Sequence, residues 1–107
     1  MGNKYGAKKT TVGGITFDSA REAKRYGELV YLFKAHEIGA IEIQPVFPII
    51  IKGKKIGKYT ADFRFLDRRT GEVIIEDVKS KPTFTEAFSL RKRLVEALYG
   101  IKITVVT

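Results

Sequence analysis

Tyr59-Thr60-Ala61-Asp62-Phe63-Arg64-Phe65-Leu66, a short turn over residues 67–71, and then Glu72-Val73-Ile74-Ile75-Glu76-Asp77-Val78-Lys79 form the stretch from which the fold is read. Alternate residues of a strand share a face. Tyr59, Ala61, Phe63 and Phe65 are therefore expected on one side, with Thr60, Asp62, Arg64 and Leu66 on the other. In the second run Ile75, Asp77 and Lys79 share a side, and Ile74, Glu76 and Val78 share the opposite one. The turn is short enough for the two runs to pair as an antiparallel hairpin. With that turn centred near Arg69, position 62 lies opposite 76 or 77. Cross-strand neighbours have Cβ atoms about 4.5–5.5 Å apart, a distance at which like charges repel. Two carboxylates, with a lysine two residues along the same face, are a costly arrangement that a divalent cation between the acids would relieve.

Upstream of this hairpin, Ser19 is a good N-cap and Glu22 completes a capping box, predicting a helix over about residues 19–38 with Gly39 as its stop. Ala23, Tyr26, Gly27, Leu29, Val30 and Phe33 fall on one broad face of it; Arg21, Lys24, Arg25, Glu28 and His36 gather on the other. Glu22 lies on the strip of Tyr26, Leu29 and Phe33, on the flank of the apolar face. It either points toward the sheet or only closes the cap. Before this helix, Gly13-Gly14 between β-branched residues signals a tight hairpin over 10–17, and residues 1–9 read as a basic, flexible arm. After it, 41–51 is apolar and β-branched but carries Pro45 and Pro48, as an edge or bent strand does, and 52–58 is a basic, glycine-containing turn. Downstream, Thr83 and Glu86 suggest a second capping box opening a helix that runs to Tyr99. Gly100 closes it, and 101–106 is a last strand. The order is β-hairpin, helix, three strands, helix, strand: a single mixed α/β domain over residues 10–107.

Composition bounds the chemistry. At 107 residues, 44% hydrophobic and 30% charged, the chain suits one folded domain. No apolar run approaches the ~20 residues of a bilayer span and no signal-peptide pattern opens the chain, so a cytoplasmic, non-secreted protein without a membrane partner is expected. With no cysteine and one histidine, thiol catalysis, zinc ribbons and multi-histidine metal sites are excluded. Twenty Lys+Arg against twelve Asp+Glu give +8, which favours a polyanionic partner, most simply nucleic acid. Carboxylates that hold Mg²⁺ through oxygen, beside a lysine, suit phosphodiester hydrolysis.

These residues carry a resemblance. Asp62, then Glu76-Asp77-Val78-Lys79 at the end of a hydrophobic strand, with Glu22 on a preceding helix, resembles the PD-(D/E)XK nuclease superfamily. The phrases GGITFDSAREAKRYGEL, IEIQPVF, YTADFRF and VIIEDVKS resemble a small phage-type branch catalogued as a domain of unknown function and similar to Holliday-junction-resolving nucleases. The likeness spans residues 4–106. It implies a restriction-endonuclease-like core: a hairpin, a helix, a three-stranded antiparallel meander, a helix and a strand, with a mixed sheet flanked by helices. It implies that Asp62 and Asp77 are metal ligands, that Lys79 is the catalytic lysine and that Glu22 is the helix acid near or on the metal. Ala61 stands where the superfamily's name has proline. Alternation pairs Asp77 with Lys79, whereas a β-bulge would exchange Asp77 for Glu76.

Other positions admit two readings each. Gln44 either faces the metal or a phosphate, or bonds a sheet edge. Arg91, inside the stripe of Phe84, Ala87, Phe88, Leu94, Val95 and Leu98, and Lys92, on its border, either reach DNA or snorkel over the core. Lys52, Lys54, Lys55 and Lys58 either bind phosphates or form a solvated turn. The expectation is a Mg²⁺-dependent DNA endonuclease, with Mn²⁺ as a substitute metal, acting on branched or duplex DNA in phage-type recombination or replication. Two symmetric cuts at a junction call for a homodimer. The alternatives are a non-catalytic DNA-binding module on the same fold and a nicking or repair nuclease of other specificity.

Overall fold

A computed structural model describes residues 9–79 and 85–107. The predicted basic arm therefore lies outside the described residues except for Lys9, as does Thr83. Thr10–Val12 (β1) and Ile15–Phe17 (β2) pair around Gly13 and Gly14, whose φ of 58° and 81° suit a turn in which β-carbons would be strained. Helix α1, Ala20–Lys34, follows. Ser19 caps it, its Oγ accepting from the Glu22 amide at 3.2 Å. The helix ends at Lys34 rather than near residue 38, because the chain turns through Ala35 and a left-handed His36 (φ 62°). Gly39 has a different task. Its amide donates to the Leu66 carbonyl at 2.8 Å, and an added Cβ would lie 3.3 Å from the Leu66 side chain.

The apolar run 41–51 is two strands. Glu42–Ile43 (β3) and Val46–Ile51 (β4) are separated by Gln44, at φ 54°, and Pro45. The expected basic turn is confined to Lys52-Gly53; Lys54, Lys55 and Lys58 lie on a strand, Lys54–Thr60 (β5), paired antiparallel to β4. Phe63–Leu66 (β6), Val73–Val78 (β7), helix α2 (Glu86–Tyr99) and Ile103–Val106 (β8) complete the chain. Helix α2 is capped by Thr85, whose Oγ1 accepts from Phe88, and is closed by left-handed Gly100.

The main sheet has the order β3-β6-β7-β8, antiparallel except for β7–β8, with β4–β5 as a separate ribbon. The expected meander is thus divided: its first strand splits between two sheets, and its second is interrupted at Ala61-Asp62. Tyr59, Ala61, Phe63 and Phe65 are all buried, as alternation requires, but in two different places. Tyr59 and Ala61 pack with Phe47, Ile75, Val95 and Ile103 beneath α2; Phe63 and Phe65 pack with Phe17, Ala23, Leu29 and Val78 beneath α1. The chain changes face as it changes sheet. The result is a small, compact mixed α/β domain: a mixed sheet with one helix and one core on each side. Among the described residues no helix is long and apolar enough to cross a membrane.

Leu29 is fully buried under α1, whereas Leu90 on α2 is 63% exposed. Leu29→Ala is expected to cost about 2–5 kcal/mol, against under about 0.5 kcal/mol for Leu90→Ala. Urea denaturation midpoints of the two variants check the contrast.

Candidate active site

The break between β5 and β6 builds the site. Three backbone bonds hold it: Ala61 N–H to Pro45 O at 3.1 Å, Gln44 N–H to Asp62 O at 2.9 Å, and Asp62 N–H to Glu76 O at 3.0 Å. The Asp62 side chain leaves the ladder, and its Oδ2 accepts from the Val78 amide at 2.6 Å. The β6–β7 register pairs Phe63 with Glu76, so one step on Asp62 meets Asp77, within the two options set by the turn length.

Asp77 is 2% exposed. The Tyr59 hydroxyl donates to its Oδ2, and Lys79 Nζ stands 3.5 Å from its Oδ1. The same ammonium lies 4.8 Å from the centre of the Phe88 ring, which holds the lysine against α2. Burial, then a hydrogen bond to Asp77, then the charges of Asp77 and Glu22 push the Asp62 carboxyl up to about 8, against the opposing pull of the Val78 amide. Burial and the Asp77 carboxylate likewise raise the Tyr59 phenol, which stays a donor.

Glu22 is half-buried at the start of α1, where its Oε1 accepts from the Ser19 hydroxyl at 3.3 Å. Burial and Asp18 raise its pKa; Lys79 lowers it and Asp77 raises it, so its charge is felt across the site. Its hydrogen bonds are those of the helix cap, while its charge is coupled to Lys79 and Asp77. Among the described residues no group of three His, Cys, Asp or Glu side chains is gathered as a metal site. The Asp62–Asp77 pair itself fits a hard cation. Two adjacent carboxyls, the pKa of one raised by burial and by its neighbour, are donors of the kind Mg²⁺ takes when water and substrate complete its shell.

Glu76 faces the other way. Arg25 grips it through two bonds, Nε to Oε1 at 2.8 Å and Nη2 to Oε2 at 2.6 Å, and Arg25 also reaches Glu28 at 3.0 Å. The hydrogen bond to Glu76 raises the Arg25 pKa and outweighs the burial that would lower it. Both oxygens of Glu76 are thereby occupied, and of the two neighbouring acids it is Asp77 that stands with Asp62 and Lys79. Arg25, placed by helical periodicity on the polar face, is half-buried.

The remaining candidates lie apart from this cluster. Gln44 is exposed and joins the site through its backbone alone. Arg91 is exposed rather than within an apolar stripe, and Lys92 pairs with Glu96 at 3.2 Å. Lys52, Lys54, Lys55 and Lys58 line the β4–β5 ribbon, all exposed. Two participants escaped the sequence reading: Tyr59, signalled only by a phenol among phenylalanines on a buried face, and Arg25, which gave no signal.

A family profile described as "Protein of unknown function (DUF1064)" matches residues 2–107. The chain belongs to the DUF1064 family. No curated protein and no solved structure matches it. The DUF1064 profile covers every residue of the Asp62, Asp77, Lys79 and Glu22 cluster.

The raised Asp62 pKa fixes the sign of a pH effect. The folded state holds this proton more tightly than the unfolded chain, so the stability it confers is full below the ordinary carboxylate pKa of 3.8 and is lost as pH rises towards about 8. In EDTA, thermal melts are expected to fall across that window, with a limiting slope of about 1.4 kcal/mol per pH unit, and Asp62→Asn is expected to flatten the fall. Removing Arg25 strands Glu76, which is 4% exposed. Arg25→Ala is expected to cost about 3–5 kcal/mol, much of it recovered by adding Glu76→Gln, as read from paired denaturation curves.

Proposed function

We propose that the protein is a Mg²⁺-dependent endonuclease that hydrolyses DNA phosphodiester bonds, on a restriction-endonuclease-like core, as a homodimer selective for branched DNA. The observation that carries this reading is the meeting of Asp62 and Asp77, with Lys79 beside them, at the mouth of β6–β7. Asp62 completes the sheet through Val78, but that bond does not call for a second buried acid beside it, and a binding-only module has no use for a carboxylate pair turned toward phosphates. The likeness to the PD-(D/E)XK nucleases supports the same assignment of roles. The net charge of +8 and the lysine-bearing ribbon suit a DNA backbone. The cytoplasm of a bacterial or phage-infected cell is the corresponding place of action.

Asp62 and Asp77 would hold the ion, with Glu22 approaching from α1. When bound, Mg²⁺ supplies Lewis acidity to the phosphodiester and to an attacking water, with Mn²⁺ as a substitute. To hold the ion Asp62 would have to release its proton to solvent, so metal affinity would rise with pH. Tyr59 holds the Asp77 carboxyl in one orientation. Lys79 supplies a positive charge beside Asp77, where it orients the water or neutralises charge developing on the phosphate. Phe88 packs its ring against that ammonium.

Labelled four-way junction, duplex and single strand, each with Mg²⁺ or EDTA, test the reading. Metal-dependent cutting of the junction is expected, reduced at least about 10²-fold in Asp77→Asn and Lys79→Ala while binding survives. Duplex cut as readily as junction would leave a nuclease of other specificity. Tight binding without cutting in Mg²⁺ or Mn²⁺ would leave a DNA-binding module.

A further inference from the structure

On the α1 side of the sheet, a cleft of about 370 Å³ opens between the first half of α1 and the ends of β7 and β8. Arg21, Lys24, Arg25 and Glu28 form its helical wall, and Val78, Val106 and Thr107 its strand wall. These strand ends are the carboxyl ends of the parallel pair β7–β8, the end at which open α/β sheets commonly receive ligands.

The charge of the cleft is unbalanced. Glu28 and Glu76 are both taken by Arg25. Among the described residues neither Arg21 nor Lys24 has an ion-pair partner, and both are exposed. At i and i+3 of α1 they stand side by side, with Cβ atoms about 5–6 Å apart. Two cations without an ion-pair partner, facing a strand wall of Val78, Val106 and Thr107, suit an extended polyanion that brings a charge at every repeat.

The cleft shares one residue with the surroundings of the carboxylate pair. Val78, in its wall, is the residue whose amide binds Asp62, and Arg21 immediately precedes Glu22. A strand whose reacting phosphate lay at Asp62 and Asp77 would carry its neighbouring phosphates past Arg21 and Lys24. We infer that this cleft seats the sugar–phosphate backbone of the strand being cut, on one side of the scissile bond, and that Arg21 and Lys24 are its phosphate contacts. The inference rests on the nuclease reading for the identity of the ligand. It adds a backbone track on α1, separate from the lysines of the β4–β5 ribbon.

The test measures binding of a fluorescein-labelled four-way junction across a salt series, on the Asp77→Asn background so that nothing is cut. Arg21→Gln with Lys24→Gln is expected to weaken binding at least about tenfold at low salt, and to reduce the slope of log affinity against log salt by about 2. A charge-matched control, Lys34→Gln with Arg68→Gln, removes two exposed cations away from the cleft and should leave affinity within about twofold. Swapping the pair, Arg21→Lys with Lys24→Arg, keeps both charges and should bind as the parent does. Equal losses in the cleft and control variants, or no loss in the cleft variant, would overturn the inference. Cutting by the wild-type background is scored separately. Affinity that depends on Arg21 and Lys24 in a protein that cuts nothing would keep the cleft and remove the nuclease. Cutting with affinity indifferent to them would do the reverse.

Discussion

The hydrogen bond from the Val78 amide to the Asp62 carboxyl closes the place where two sheets part. At Ala61-Asp62 the chain leaves the β4–β5 ribbon and enters the main sheet, and a strand interrupted there would expose backbone groups that no neighbour satisfies. Pro45 O, Gln44 N–H and Glu76 O take up the main-chain groups, and the Asp62 side chain answers Val78. The acid is therefore structural before it is chemical. Any role it has toward a cation is built onto a side chain already needed to finish the sheet.

The same break decides what surrounds the acids. Because the chain reverses face across two residues, Tyr59 arrives beneath α2 and can reach Asp77, while Phe63 fills the core beneath α1. The site thus lies where the two halves of the core meet, with α1 supplying Glu22 and α2 supplying the ring that braces Lys79. Few rotations are open to these groups: Asp77 is held at both oxygens, and Lys79 is held by a carboxylate and an aromatic face. Such constraint is what positions a small charged cluster.

Much of this was legible in the sequence where a local rule decides. Gly13-Gly14 set the first hairpin, Ser19 the start of α1, Gly100 the end of α2, and the length of the 67–71 turn brought position 62 opposite 76 or 77. The break at Ala61-Asp62 was not legible, because alternate burial runs through it undisturbed and period alone does not say which sheet a strand belongs to. Helix α1 runs past its true end in the pattern because 35–38 keep a helical rhythm, and only a left-handed His36 stops it. Lys54 to Lys58 look like a turn by composition, yet β4 offers them a partner and they pair. Arg25 shows the limit most plainly. Its position on the helix says solvent, and only the distant Glu76, 51 residues away, turns it inward.

That last pair has a bearing on how the chain finds its register. Glu76 and Asp77 are neighbours of like charge, and a strand slipped by one residue would exchange the sides they face. In the native register the longer acid meets Arg25 in a two-pronged grip, while the shorter one meets Tyr59 and Lys79. A slipped strand would bring a carboxyl one methylene short to the guanidinium and force the longer one into the space beneath α2. Arg25 and Glu76 thus favour the native register of β7 over one slipped by a residue.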